Sequence, residues 1–159
     1  MALQRLGDAD PERLWELADR WTRSDAHEPP DLLLLRAVAA GVAEPRLVRA
    51  ATDARRALSI MDRITAALLS IPADRRHGRE DVRVLRQTLG YAWSVAAAGA
   101  PDHGFAALEH WAALDDAYAH WIVRSNARKA RLMNASGGRA RLLLVANEGT
   151  SRDDAEKGE

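Results

Sequence analysis

An all-α fold is predicted for this 159-residue chain on three observations. Apolar residues recur at the three- and four-residue steps of an amphipathic helix. Acids or prolines stand in front of most of the runs that show it. No segment of comparable length alternates apolar and polar residues with the period of two that a half-buried strand needs.

Helix starts are marked by Asp10-Pro11, Glu44-Pro45, Glu80-Asp81, Pro101-Asp102 and Asp115-Asp116. The first run places Leu14, Leu17, Ala18 and Trp21 on one side. The second, 31 to about 43, reads DLLLLRAVAAGVA and is apolar nearly all round, so burial on several sides is expected. A third runs from Pro45 towards Ile71 with Leu47, Ala51, Ala54, Leu58, Met61 and Leu68 in phase. After the polar loop PADRRHGRED, a fourth helix over about 81–98 aligns Val82, Leu85, Leu89 and Trp93. The fifth, about 102–113, buries Phe105, Leu108 and Ala112, and the sixth runs from near Asp116 to about Arg131. Two segments follow: a helical domain over 1–133 and a flexible tail over 134–159. In that tail LLLV reads as a short strand, a returning helical turn or a frayed end, and 150–159 as disordered.

With 47% apolar and 29% charged residues, the chain suits one globular unit with a real core. The 23 basic and 23 acidic side chains cancel, so any preference for an acidic partner has to come from local clustering. Such clustering is present. Residues 1–116 hold 15 basic and 18 acidic side chains, 117–147 hold six and none, and 148–159 hold two and five. The absence of cysteine removes disulfides, thiol nucleophiles and thiolate metal sites. Neither a secretion signal nor a run of roughly 18 apolar residues is present, which makes a cytoplasmic protein with no membrane role the expectation.

A weak internal repeat is visible. Val48-Arg49, Val82-Arg83 and Ala119-His120 each lie a few residues beyond an acidic helix start, and Ala51, Leu85 and Ile122 follow them. In these residues the chain resembles the HEAT repeats of armadillo-like α-solenoids, best over residues 44–132. The segment DDAYAHWIVRSNARKARL is similar to the closing repeat of bacterial HEAT-repeat proteins. The resemblance implies a short right-handed α-solenoid of stacked antiparallel helix pairs; a generic helical bundle is the alternative. It also implies a surface of successive helices that binds protein, peptide or nucleic acid, and no reaction.

The candidate surface is the stretch HWIVRSNARKARL, 120–132. At about 100° per residue, Arg124, Arg128 and Arg131 fall within roughly 60° of one another on the sixth helix, with His120 and Trp121 at the edges. Ala119, Ile122, Val123, Asn126, Ala130 and Met133 fall opposite. The arginines therefore face away from the expected core, and two readings stay open. One is a solvated terminal helix whose cations compensate the helix dipole. The other is a docking face for an acidic partner, in which arginine forks grip carboxylates or phosphates, Trp121 adds a contact, and Arg139 and Arg141 lie close by. Asn126, on the inferred core face, is expected to bond a neighbouring backbone, because a buried amide without a partner is costly.

Of five tryptophans, Trp21, Trp93 and Trp111 read as core, while Trp15 and Trp121 sit at stripe edges. An aromatic on a basic helical surface also resembles the HEAT-like alkylpurine DNA glycosylases, which makes DNA binding in alkylated-base repair the second function reading. Other chemistry finds little support. The histidines at 27, 77, 103, 110 and 120 lack metal-ligand spacing, SGGR lacks the Gly-Lys-Ser/Thr ending of a phosphate loop, and no nucleophile elbow is present. The expectation is a non-catalytic binding or scaffold module without metal or cofactor that engages an acidic protein partner, with DNA as the alternative.

Overall fold

The computed structural model describes residues 2–23, 30–135, 139, 141 and 143. Among them are eight α-helices, one short 3-10 turn and no strand. In chain order the helices are α1 (Ala2–Ala9), α2 (Pro11–Thr22), α3 (Leu32–Val42), α4 (Ala51–Leu69), α5 (Glu80–Gly99), α6 (Pro101–Ala112), α7 (Ala117–Ala127) and α8 (Ala130–Ala135).

Three of the starts are built by aspartate caps. The Asp10 side chain accepts from the Arg13 N–H, Asp31 from Leu33 and Leu34, and Asp116 from Tyr118 and Ala119. Each satisfies backbone donors that the first helical turn leaves without partners. Glu44-Pro45 behaves differently. Residues 45–50 form a turn in which the Leu47 and Val48 N–H groups donate to the Glu44 carbonyl, and the helix begins only at Ala51. Val48 is buried in that turn, and its carbonyl lies so close to Gly99 that a Cβ there would come within 2.3 Å of the oxygen. The turn is thus seated under the end of α5. The short α1 was not marked by any start signal; it packs on α2 and α3.

α5 is the centre of the molecule, in contact with α3, α4, α6, α7 and α8. Leu85, Leu89 and Trp93 are fully buried there, and the Trp93 indole N–H donates to Thr65 Oγ1 at 3.0 Å. Trp15 also belongs to the core: the Arg56 guanidinium from α4 lies 5.3 Å from its ring centroid and covers it. Trp21 is only half-buried.

Contacts between helices fall into an order. α2 and α4 run in step, because Glu12 pairs with Arg56 and Asp19 with Arg63. α4 lies in turn beside α6, where the Trp111 indole donates to Asp62. α5 and α7 also run in step, Arg86 meeting Tyr118 and Trp121, and Ser94 meeting Asn126. α4 and α5 run in opposite directions, since Thr65 meets Trp93 while Ala54 meets Gly99. The Val-Arg pairs read from the sequence therefore do not occupy equivalent places. Val82-Arg83 and Ala119-His120 open the neighbouring helices α5 and α7, whereas Val48-Arg49 lies in the turn before α4.

Candidate binding surface

α7 is anchored at its start by Asp116. One carboxylate oxygen caps the helix, and the other accepts from Arg76 at 2.7 Å. Arg76, only 5% exposed, also donates to the Leu69 carbonyl at the end of α4 and to the Ile71 carbonyl just beyond it. One turn-borne arginine thus ties the end of α4 to the beginning of α7. Further along, Ala119, Ile122, Val123 and Asn126 are buried as expected from the sequence, together with Ala127, whereas Ala130 is exposed and Met133 half-buried because the helix breaks before them. The Asn126 amide donates to the Leu89 and Ile122 carbonyls and accepts from the Ser94 N–H, each at 2.8 Å, so its polar atoms are partnered across the α5–α7 contact.

The single helix expected from 116 to 131 is broken at Arg128 and Lys129. The Arg128 N–H donates to the Arg124 and Asn126 carbonyls, and α8 begins at Ala130. Leu132 supplies the reason. On an unbroken helix it would lie about 150° from the centre of the buried face, beside the arginines; with the break it is fully buried.

That break separates the candidate residues. His120, Trp121 and Arg124 on α7 are half-buried, while Arg128 at the α7 end and Arg131 on α8 are exposed. Arg131 lines a groove of about 450 Å³ with Pro45, Val48, Arg49 and Gly99, towards the turn before α4. Trp121 faces α5. A Cβ at position 90 would come within 2.7 Å of the indole, so Gly90 is what lets the ring lie against that helix. Over it sits Arg86, whose guanidinium carbon is 4.6 Å from the Trp121 ring centroid and 4.6 Å from that of Tyr118. Arg86 and Tyr118 were not singled out in the sequence. Their only signal there is that positions 86 and 90, and 118 and 121, share helix faces.

Charge is divided between the helices. α2, α4 and α6 carry Glu12, Glu16, Asp19, Asp53, Asp62, Asp102 and Glu109. α3, α7 and α8 contain no acid, and α5 has none beyond its first turn. The two acids of that turn are engaged: Arg83 holds the Glu80 carboxyl, and Arg79 the Asp81 carboxyl, below the ordinary carboxylate range through side-chain hydrogen bonds. The exposed large apolar side chains Leu33 and Tyr91 lie on α3 and α5. Arg139 is engaged within the chain, bonded to Glu109 at 2.9 Å and 5.0 Å from the Phe105 ring centroid. Of LLLV, Leu143 alone is described, helical and buried. The remainder of the expected tail, 136–138, 140, 142 and 144–159, lies outside the described residues.

A second groove, about 410 Å³, runs between α4 and α6, with Leu58 and Ala107 apolar and Arg55, Asp62, His103 and His110 polar. Among the described residues no three potential ligands stand together to hold a metal ion, and no helix is long and apolar enough to cross a membrane. Comparison of the chain with protein families, curated proteins and solved structures finds no match in any of the three.

Proposed function

We propose that this chain is a non-catalytic HEAT-like binding module of the cytoplasm, whose α7–α8 surface docks an acidic protein partner. The observation that carries the docking reading is the one-signed charge of this surface: Arg124, Arg128, Lys129 and Arg131 occur without a single acid from 117 to 135. Rim charges of one sign steer a complementary partner and reject like-charged ones. The repeat reading is supported by the order of contacts. α2–α3, α4–α5 and α6–α7 each pack as consecutive pairs, α4 lies between α2 and α6, and α5 lies between α3 and α7. Such nearest-neighbour stacking characterises helical repeats and leaves successive helices in line as a binding surface.

Affinity capture from a bacterial lysate tests the function. The triple reversal Arg124→Glu/Arg128→Glu/Arg131→Glu is expected to retain the helical circular-dichroism signal and to lose the proteins held by the wild type. The exposed pair Arg128→Glu/Arg131→Glu should weaken capture in the same direction. Retention of the same proteins by wild type and triple variant would refute the docking surface.

A further inference from the structure

We infer that Arg86, stacked between Tyr118 and Trp121, is a preformed receptor for a side-chain carboxylate of an acidic protein segment. The inference rests on the docking function proposed above and moves its centre from α8 to the α5–α7 contact. Arg13, Arg23, Arg46, Arg56, Arg63, Arg76, Arg79, Arg83 and Arg139 each pair with a carboxylate within the chain. Arg86, although half-buried, forms no hydrogen bond or ion pair with a described residue, and its Nε–H is buried without an acceptor. A buried donor in that state is costly, and a guanidinium removed from water normally finds an anion. What holds Arg86 instead is aromatic: two ring faces at 4.6 Å, with Trp121 itself seated on Gly90. The stack fixes the plane of the fork, so much of the entropy of ordering it is already spent before a ligand arrives. Its terminal nitrogens, unlike Nε, keep contact with solvent.

The surroundings decide which anion. Along α5, Arg83, Gln87 and Tyr91 recur at four-residue steps and are exposed, at about 60°, 100° and 140° from Arg86 round the helix. The face therefore offers one organised fork, a polar side chain and an apolar ring, while the nearest acids are engaged by other arginines, Glu80 by Arg83 and Asp116 by Arg76. A nucleic-acid strand would need open aromatic faces for its bases and a track of cations for its phosphates. Here Arg86 already lies over both the Tyr118 and Trp121 rings. A short acidic peptide with one apolar residue fits this face: its carboxylate meets the fork, and its apolar side chain lies on Tyr91.

Selection of short random peptides displayed on phage, against the immobilised full chain, provides the probe. Enriched sequences are expected to be rich in Asp and Glu and to carry an apolar residue. By fluorescence anisotropy, a selected peptide should bind Arg86→Gln about tenfold or more weakly, as expected for losing a charged hydrogen-bonded contact. Arg86→Lys, which keeps the charge and loses the planar fork, should also bind several-fold more weakly. Thermal unfolding reports whether these variants fold. Gln87→Glu, at the exposed position next to Arg86 in the chain, supplies a variant whose folding is not at issue and should weaken binding by repulsion. Enrichment without acidic bias, or undiminished binding by Arg86→Gln and Gln87→Glu, would overturn the inference. If those two bind normally while the triple arginine reversal does not, the docking function stands and its centre is α8. Displacement of the peptide by duplex DNA with a steep salt dependence would overturn both in favour of nucleic acid.

Discussion

Replacing Arg76 by Met is expected to destabilise the protein by about 3–5 kcal/mol, the range for removing one partner of a buried ion pair. The guanidinium makes three contacts of 2.7 Å, to Asp116 Oδ2 and to the Leu69 and Ile71 carbonyls, and methionine makes none of them. The loss is more than electrostatic. Asp116 would keep its capping contacts to Tyr118 and Ala119 but lose compensation for its charge, and the Leu69 and Ile71 carbonyls at and just beyond the end of α4 would lose their donor. In a chain of this size about 1 kcal/mol corresponds to roughly 2–4 °C in Tm, so a fall of about 10 °C is anticipated. Asp116→Asn, which keeps a capping oxygen, should cost less than Asp116→Ala. The double variant Arg76→Met/Asp116→Asn should be less damaged than the sum of its parts, because the two residues share one contact. An Arg76→Met protein within about 1 kcal/mol of wild type would mean that the tie between α4 and α7 contributes little to stability.

Arg76 also shows what a single sequence conceals. It sits in PADRRHGRED, a segment that reads as polar loop, and nothing within that stretch announces that one of its arginines reaches Asp116, forty residues on. Helix starts were legible wherever the capping chemistry is local, as at Asp10, Asp31 and Asp116, whose side chains bond the backbone within the next three residues. Glu44-Pro45 carries similar marks and misleads, because the buried carbonyl of Val48 holds that turn beneath Gly99, a constraint set by a distant helix. The break between α7 and α8 has the same origin. Periodicity places the arginines of 124–131 on one stripe, but places Leu132 there too, and burial of that leucine against the core overrides continuity of the helix. Tertiary demand likewise sets Trp121. Its position at the stripe edge was readable; that Gly90 seats the ring and Arg86 covers it depends on two helices running side by side. Local chemistry thus gave the elements, while the arrangement of polar groups on the candidate surface depended on which elements meet.

Asn126→Asp should be among the most damaging single changes at neutral pH, and its damage should depend on pH. The site supplies one donor, the Ser94 N–H, and two acceptors, the Leu89 and Ile122 carbonyls, to a side chain with no exposure to solvent. An ionised carboxylate satisfies the donor and faces two carbonyl oxygens with no proton to offer. A protonated one accepts from Ser94 and donates to one carbonyl. Folding therefore favours the protonated form, and the carboxyl pKa in the folded variant lies above its unfolded value near 3.9. With the folded value raised, the penalty is small below the unfolded pKa, grows as pH rises through the interval between the two values, and is complete above the folded one. At pH 7 a loss of about 3 kcal/mol or more relative to wild type is anticipated, as for an uncompensated buried charge. The deficit in Tm should narrow as the pH is lowered towards 5. Asn126→Leu, with no group to titrate, should show a deficit of about 1–3 kcal/mol for unmade hydrogen bonds that does not change across that range. Parallel denaturation curves for the Asp and Leu variants at both pH values would show that position 126 reaches water, and that the α5–α7 contact beneath Trp121 is looser than three 2.8 Å bonds imply.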